Sequence, residues 1–254
     1  MANSGLRNDL GQPVGEPLPE WTPPPFPPRA SMQGQYCRLE PLDRVAHARA
    51  LWDANAHDVE GRNWTYLTHG PYDTFEAYEQ WVDRTSRGPD PQFFAVLTPA
   101  PGSFLSALGS WVAIPVGVAS FMRITPAQGC IEVGDINFSP LLQRTPAATE
   151  AMYLMMRRAF ELGYRRYEWK CDALNAPSRR AAQRLGFSYE GAFRQAMVTK
   201  GRNRDTAWYA CIDREWPVLR AAFEQWLTPE NFDAGGHQRI RLSELTSPML
   251  VARG

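Results

Sequence analysis

The amino-acid sequence predicts an α+β fold with a single mixed sheet, and three features of the pattern support this class. Alternating apolar and polar residues recur in strand-length runs, which predicts a mostly antiparallel meander. Residues 147–162 repeat apolar side chains at helical spacing and predict one long helix. This helix lies between the strand-like runs CIEVGDINF and RRYEWKCD, so these two strands are expected to be parallel and close neighbours that part where the helix begins.

Bulk composition limits the classes of function. The 254 residues suit one domain of generous size or one domain with tails. Lys+Arg and Asp+Glu both number 27, which gives none of the basic excess typical of a nucleic-acid-binding protein, although a local basic groove is compatible with this balance. No apolar run reaches the roughly 18 residues of a membrane span, and no apolar signal segment opens the chain. We therefore expect a cytoplasmic protein with no nucleic-acid and no membrane partner.

The four cysteines are far apart in the sequence. Cys37, Cys130, Cys171 and Cys211 form no CxxC pair, and the four histidines show no metal-ligand spacing with them. This pattern predicts four reduced, buried thiols and no metal site.

Composition divides the chain into three parts. Residues 1–31 are rich in proline, as in PLPEWTPPPFPPRA, and predict an extended arm. The arm is expected to lie across the protein's own surface, anchored by Trp21 and Phe26; the alternative is a segment that docks into an aromatic-lined groove of a partner. Residues 32–227 carry the periodic patterns of the folded domain. After Pro229 the composition turns polar, and residues 228–254 predict a surface tail.

The first half of the folded domain begins with a strand in QYCRLEPL and continues with two helices. Asp43 is placed to cap the first helix, and Asp73 or Thr74 the second, because a side-chain oxygen there accepts from a free amide of the first turn. Strands follow in QFFAVLT, VAIPVGVASFMRIT and GCIEVGDINFS, with PAPGSFLSALGS as an insertion or a widened turn. The residues expected to face inward are Val45, Ala48, Leu51 and Trp52 on the first helix, and Phe75, Tyr78 and Trp81 or Val82 on the second.

The second half alternates helices and strands. The long helix is followed by the strand RRYEWKCD and by a helix in APSRRAAQRLGF, which ends at Gly186 because glycine commonly closes a helix. SYEGAFRQAMVTKG and RDTAWYACI then predict an antiparallel pair with a turn at KGRNR. Asp213 is placed to cap a last helix in REWPVLRAAFEQWL.

The loop QRTPAA before the long helix contains no glycine but has the residues of a helix start. Thr145 is a favourable N-cap, and Pro146 suits the first helical position because the amide that it lacks has no partner there. A helix N-terminus offers free amides and a partial positive charge, to which Arg144 adds a full charge. The loop therefore predicts an anion site, with a plain capped helix as the alternative.

Three segments together resemble the GNAT (Gcn5-related) N-acyltransferases. QRTPAA at 143–148 is similar to the family's Q/R-x-x-G-x-G/A loop, with Pro146 where the family usually has glycine. NAPSRRAAQRLGF at 175–187 resembles the N-x-x-S-x-x-x-A-x-x-L-G-F element of the RimL/RimJ-like branch. FSYEGAFRQ…KGRNRDTAWYACI resembles the closing strand pair of that branch, and the resemblance covers roughly residues 33–226.

The resemblance implies a GNAT-like mixed sheet that splays at the cofactor site, with residues 32–227 as the acyltransferase domain. It implies acetyl transfer from acetyl-CoA to a primary amine, either a protein N-terminus or a small molecule, by direct attack on the thioester and without a metal. The alternative is a non-catalytic acyl-CoA-binding module, and a homodimer stays open. The positions that the resemblance assigns to acetyl-CoA are Ile136, Phe138, Gln143, Arg144, Thr145, Ala147, Ala148, Asn175 and Ser178.

The resemblance also implies a general acid. Ser178 lies where the RimL-like branch has a hydroxyl near the leaving sulfur, and no tyrosine, the residue that many GNAT enzymes use instead, lies in residues 175–187. The alternative for Ser178 is a serine that only caps or opens its helix.

The general base has several candidates. Met197 occupies a position at which the RimL-like branch can carry a carboxylate, so the proton must go elsewhere. Glu132, Asp135 and Glu190 are the nearby alternatives, together with a chain of water molecules. Strand alternation places Glu132 and Asp135 on opposite faces, so only one of them is expected in the cleft. Glu190 has the further alternative of a solvated ion pair with Arg194.

The aromatic-rich loop GRNWTYLTHGPYD joins the first two helices, and the resemblance implies that it covers the acceptor. Trp64, Tyr66 and Tyr72 would then wall the acceptor site. The alternative is that these aromatic side chains only pin a long loop to the core.

Overall fold

The computed structural model describes residues 5–100 and 112–254, which form one eight-stranded sheet. The strand order is β1–β2–β3–β4–β5–β6–β8–β7, and every neighbouring pair is antiparallel except β5 and β6. The predicted mixed sheet with one parallel crossover is confirmed, while the insertion expected at 99–110 falls mainly outside the described residues. The strands are β1 Met32–Gln33, β2 Arg38–Pro41, β3 Gln92–Pro99, β4 Ala113–Thr125, β5 Cys130–Phe138, β6 Arg166–Asp172, β7 Ser188–Thr199 and β8 Arg202–Ile212.

The described residues also form six α-helices. The caps predicted for the first two are confirmed, since Asp43 accepts from Ala46 N at 2.8 Å and Thr74 accepts from Ala77 N at 3.2 Å. Gly186, with a left-handed φ of +91°, follows the fourth helix as predicted. The helices are α1 Arg44–Asn55, α2 Phe75–Arg87, α3 Pro146–Glu161, α4 Ala176–Arg184, α5 Trp216–Trp226 and α6 Leu242–Thr246.

The helices cover the two faces of the sheet differently. α3, α4 and α5 pack on the face that carries Tyr167 and Tyr209, in the larger hydrophobic core. α1 and α2 pack on the other face against β3 and β4, where Tyr78 lies in a second core. Successive side chains of a strand alternate between faces, so Lys170 and Trp208 of β6 and β8 lie on the side of α1 and α2.

α1 buries Ala48 and Leu51 as predicted, and Trp52 packs against the second core, but Val45 is 82% exposed. His47 and Ala54 are also buried on this helix. The His47 ring is satisfied there, because its Nε2 lies 3.1 Å from Glu40 Oε2 and its Nδ1 accepts from Asp43 N at 3.0 Å.

α5 begins later than predicted, and Asp213 does not cap it. The helix starts at Trp216, while Asp213 accepts from Arg214 N at 2.8 Å in the preceding turn. Pro217 gives the physical reason, since its ring and its missing amide suit the first turn of a helix.

Part of the C-terminal segment is buried, contrary to the expected surface tail. Leu242 of α6 is inaccessible to solvent, and the Thr246 hydroxyl donates to Arg184 O at 2.9 Å. Tyr189 N of β7 donates to Ala252 O at 3.1 Å. Apolar burial and hydrogen bonds therefore hold this polar stretch against α4 and β7.

The proline-rich arm lies along the protein's own surface. The carbonyl groups of an extended proline-rich chain have no internal partners. Tyr164 OH donates to Pro25 O at 3.2 Å, and Gln92 Nε2 donates to Pro27 O at 3.0 Å. Pro24 and Pro27 are buried, whereas Phe26, an expected anchor, is 43% exposed. Backbone acceptors and prolines therefore hold the arm, with Trp21 partly buried.

All four cysteines are free thiols. Three are buried as expected, but Cys130, the first residue of β5, is partly exposed and corrects the prediction of four buried thiols. Within residues 5–100 and 112–254, no helix is long and apolar enough to cross a membrane. The same part of the chain holds no group of three or more His, Cys, Asp or Glu side chains placed to bind a metal ion.

Glu150 ties the N-terminal strands to α3. Its side chain is buried, and its carboxylate accepts from the amides of Gln35, Tyr36 and Cys37 at distances between 2.6 and 2.8 Å. These amides belong to the turn between β1 and β2, so one carboxylate satisfies backbone donors that the sheet leaves unpaired.

We expect Glu150→Gln to lower the free energy of unfolding by about 2–4 kcal/mol. The amide group keeps one acceptor oxygen and presents N–H hydrogens to backbone donors. Urea unfolding measures the change. Glu161→Gln, at the exposed end of the same helix, is the matched control and should cost less than about 0.5 kcal/mol. Equal stability of E150Q and the wild type would contradict the role of Glu150.

Candidate active site

A cleft opens between β5 and β6. The two strands pair as far as Val133 and Trp169 and then part, so the last residues of each strand border an opening in the sheet. A β-bulge in the pairing of β4 with β5 marks the same place. Asp135, in this bulge, has a left-handed φ of +46°, which is unusual for a residue other than glycine.

The loop before α3 is a helix entrance without glycine. Thr145 Oγ1 accepts from Ala148 N at 3.2 Å, and Pro146 occupies the first helical position. Arg144 has a left-handed backbone conformation, with φ of +62°, and its side chain is exposed. The amides of Arg144 and Ala147 donate to no acceptor in the described part of the chain, so they are available to an anion at the positive end of α3.

Gln143 has an internal partner that the sequence did not indicate. Its Nε2 donates to Asn63 Oδ1 and to Phe138 O, both at 2.8 Å, and Asn63 Nδ2 donates to the same carbonyl at 3.2 Å. Gln143 thus fastens the loop between α1 and α2 to the end of β5. No local pattern marks Asn63, because its partners lie more than seventy residues away in the chain.

Ile136 and Phe138 lie on the part of β5 beyond its pairing with β6, and both are partly buried. Ala147 and Ala148 form the first turn of α3, which begins eight residues after the end of β5. The structure therefore brings most of the positions assigned to acetyl-CoA to one opening.

Asn175 and Ser178 begin α4 on the other side of the cleft. Asn175 is the N-cap, since its Oδ1 accepts from Ser178 N at 3.1 Å, so Ser178 does not cap the helix with its side chain. The Ser178 hydroxyl instead accepts from Trp169 Nε1 at 3.0 Å. An indole nitrogen only donates, so the hydroxyl oxygen accepts in this bond and its proton points elsewhere, with the Cys171 side chain within hydrogen-bonding reach. Trp169 is a positioning residue that sequence reasoning missed.

Glu132 is held in a buried charge network. Its carboxylate, 2% exposed, lies 2.6 Å from Arg123 Nη1 and 2.8 Å from Lys170 Nζ. Lys170 Nζ also pairs with Glu168 at 2.7 Å and lies 3.8 Å from the centre of the Trp208 ring. Burial raises the pKa of Glu132, and the lysine and arginine charges oppose this shift without cancelling it. The two ion pairs, and not the direction of the pKa shift, distinguish Glu132 from an unpaired carboxylate.

Asp135 lies on the same side of the sheet as Glu132, which corrects the expectation of opposite faces. The Arg123 guanidinium, which binds Glu132, also acts electrostatically on Asp135 and lowers its pKa, although burial raises that pKa more. The charge of Asp135 also raises the pKa of Tyr72, which lies in the loop between α1 and α2. The bulge breaks the alternation of side chains on which the prediction rested.

The structure does not bring Glu190 to the cleft. Glu190 is exposed and pairs with Arg166, with 2.8 Å between Oε1 and Nη1, and not with Arg194. Arg166 is the first residue of β6, at the end where β5 and β6 are still paired. Met197 is an exposed residue of β7 opposite Arg204.

The three aromatic residues predicted to wall the acceptor site, in the loop between α1 and α2, make different contacts. Trp64 is buried in the second core, which fits the alternative of a loop pinned to the core. The Tyr72 hydroxyl is hydrogen-bonded to His69 Nδ1 at 3.2 Å, and burial lowers the pKa of His69 to about 4, so this histidine is neutral at pH 7. Tyr66 OH donates to Leu174 O at 3.3 Å and links the loop to the start of α4.

The hairpin of β7 and β8 contacts the loop between α1 and α2. Lys200, at its turn, donates from Nζ to Trp64 O at 2.7 Å. The open face beside the cleft is therefore bounded by the aromatic loop on one side and by this hairpin on the other.

Comparison with known proteins identifies relatives of this architecture. Residues 37–188 match the family model described as "Acetyltransferase (GNAT) domain". A GCN5-related N-acetyltransferase from Brucella melitensis is 47% identical, with a TM-score of 0.83 over 90% of this chain and 99% of that one. A probable acetyltransferase of the GNAT family from Chromobacterium violaceum is 37% identical, with a TM-score of 0.69 over 81% of this chain and 98% of that one. No curated protein matches the sequence.

A more distant likeness involves the Salmonella typhimurium acetyl transferase that modifies the N-terminal serine of the 50S ribosomal subunit protein L7/L12. It is 21% identical, with a TM-score of 0.57 over 72% of this chain and 98% of that one. At this identity the likeness shows a shared fold alone.

We expect CoA to bind more tightly than pantetheine, which lacks phosphate, because the entrance to α3 offers free amides and the charge of Arg144. Isothermal calorimetry measures both affinities. Arg144→Asn removes the charge while asparagine tolerates the left-handed φ. This variant should weaken CoA binding about 2–5-fold and leave pantetheine binding unchanged. Equal affinities of the wild type for CoA and pantetheine would remove the case for a phosphate site.

Proposed function

Because the chain belongs to the GNAT acetyltransferase family, we propose that it acetylates a primary amine by direct attack of the amine on the thioester of acetyl-CoA, in the cleft between β5 and β6. Transfer of an acetyl group from acetyl-CoA to an amine is the activity of the family. The observation that carries the proposal is the Ser178 hydroxyl, which Trp169 fixes at the mouth of this cleft.

The donor site follows from the free polar groups around the cleft. The pyrophosphate lies at the amides of Arg144 and Ala147, at the positive end of α3. The pantetheine arm runs along the edge of β5 at Ile136 and Phe138. Asn175 uses its Oδ1 to cap α4, and its Nδ2 donates to no acceptor in the described residues, so it serves the arm from the other side.

The reaction requires one proton to leave the amine and one to reach the departing sulfur. The amine nitrogen forms a bond to the thioester carbon, and the main-chain amides near the bulge stabilise the oxyanion. The C–S bond then breaks, and Ser178 gives its proton to the thiolate. Trp169 Nε1 stays bonded to the serine oxygen and stabilises the charge that develops there.

The acceptor is a protein N-terminus or a small-molecule amine. The motif of residues 175–187 resembles that of the RimL/RimJ-like branch, which acetylates protein N-termini and small amines. Lys170 and Trp208 lie on the open side next to the cleft, so the acceptor approaches from this side.

A non-catalytic acyl-CoA-binding module is the second candidate function. Pro146 removes an amide from the helix entrance, and Met197 replaces a carboxylate, which are the two observations in its favour. The two functions share acetyl-CoA binding and differ in acceptor-dependent release of CoA.

A thiol-release assay with acetyl-CoA and a panel of amines tests the proposal. The panel contains a free amino acid, a polyamine, an aminoglycoside and peptides with a free N-terminus. At least one amine should raise CoA release well above the rate of spontaneous hydrolysis. A protein that binds acetyl-CoA and releases no CoA with any amine would instead be the binding module.

We expect Ser178→Ala to lower kcat and kcat/KM together by about 10²–10⁴-fold, because a general acid acts only as charge develops on sulfur. Acetyl-CoA affinity and melting temperature should change little, since Asn175 and not Ser178 caps α4. Asn175→Ala is the comparison for the cap, with an expected loss of about 1 kcal/mol of stability. A stable S178A protein with unchanged kcat would defeat the acid role.

A further inference from the structure

Asp135 occupies a strained backbone position at the point where β5 and β6 part. Its φ of +46° is left-handed, and strained residues of this kind persist only where the surrounding structure enforces them. In the ladder, Val118 pairs with Asn137 but Ser120 pairs with Gly134, so two residues of β5 lie opposite one residue of β4. The groups that interact electrostatically with Asp135 are Arg123, Arg204 and Tyr72, which places its carboxylate near the side of the sheet that carries α1 and α2.

The carboxylate of Asp135 has no hydrogen bond and no ion pair with any described residue, although it is partly buried. Glu132, on the same strand, is neutralised by Arg123 and Lys170. Burying a carboxylate is unfavourable without a partner, so an unpaired one calls for an explanation. Glu132 and Glu190, the other two carboxylates considered as the general base, both form ion pairs, whereas Asp135 forms none with a described residue.

An unpaired polar atom of β8 lies near Asp135. Arg204 Nε is inaccessible to solvent and has no hydrogen-bond partner among the described residues. The charge of Arg204 acts on Asp135, so the two side chains lie close to each other. A polar acceptor molecule bound here could satisfy both groups.

We propose that Asp135 is the general base that takes the proton from the acceptor amine. This assignment rests on the proposed function. The proton passes from nitrogen to Asp135 as nitrogen bonds to the thioester carbon; the C–S bond breaks, and the thiolate takes its proton from Ser178. Asp135 then returns its proton to solvent, and Ser178 regains a proton from solvent, which completes the cycle. Ser178 lies on the α4 side of the sheet and Asp135 on the open side, so acid and base reach the reacting carbon from opposite faces.

The charges around Asp135 fit a base. The groups that face it are Arg123 from β4, Arg204 from β8 and Tyr72 from the loop between α1 and α2. Burial raises the pKa of Asp135, and the two guanidinium groups oppose this shift without cancelling it. A carboxylate with a raised pKa is a better proton acceptor than a solvated one.

Asp135→Asn provides the test, because asparagine has the same shape and tolerates a left-handed φ but takes no proton. With the best amine of the panel, kcat/KM should fall about 10²–10³-fold at neutral pH. The loss should shrink as the pH rises, because hydroxide can then take the proton in place of Asp135. Acetyl-CoA affinity by calorimetry should stay within about twofold of the wild type. Asp135→Gly, which adopts the same backbone most easily, is the second variant and should show the same loss.

Glu132→Gln decides between the two carboxylates. If E132Q and not D135N shows the loss that shrinks at high pH, the base is Glu132 and the assignment is overturned. Wild-type kcat/KM in folded D135N or D135G at neutral pH also overturns it. A wild-type protein that releases no CoA with any amine defeats the proposed function itself, which is a separate outcome from the failure of Asp135.

Discussion

The loss of pairing between β5 and β6 is the constraint on which the site depends. Parallel strands that stay paired satisfy each other's backbone groups and leave no opening for a substrate. Beyond Val133 the edge of β5 has no strand partner on this side among the described residues, and its polar groups need partners from elsewhere. Two side-chain amides, from Gln143 and Asn63, donate to Phe138 O. The remaining groups of this edge are the ones that we propose for the pantetheine arm.

The opening also separates the chemistry of the two faces. On the face of α4, Trp169 holds the Ser178 hydroxyl by a hydrogen bond, and this hydroxyl is the group that we propose as proton donor to the leaving sulfur. On the open face, Glu132 and Lys170 form a buried ion pair, which is costly to break because the remaining charge would stay buried without a partner. This cost favours a structural role for Glu132 and is the reason that we propose Asp135, a carboxylate without such partners, for proton transfer.

The sequence by itself determined the order of the elements and the entrance to α3. Strand and helix periods, the cap at Thr145 and the proline at Pro146 depend on neighbours within a few residues, so local chemistry is sufficient to predict them. The motif around Asn175 and Ser178 was predictable for the same reason, since it is contiguous. Which of the two caps α4 was not, because the cap depends on the conformation of the turn.

Tertiary structure alone decided which charged groups meet at the cleft. Glu190 pairs with Arg166 across the sheet, and its position in the sequence gives no sign of this distant partner. Asp135 is the clearest case. A spacing of three residues places it opposite Glu132 on a regular strand, and the bulge at this left-handed residue reverses that placement. The bulge depends on how β4 pairs with β5 while β6 turns away, and such contacts between separate strands are not encoded in any short stretch of sequence.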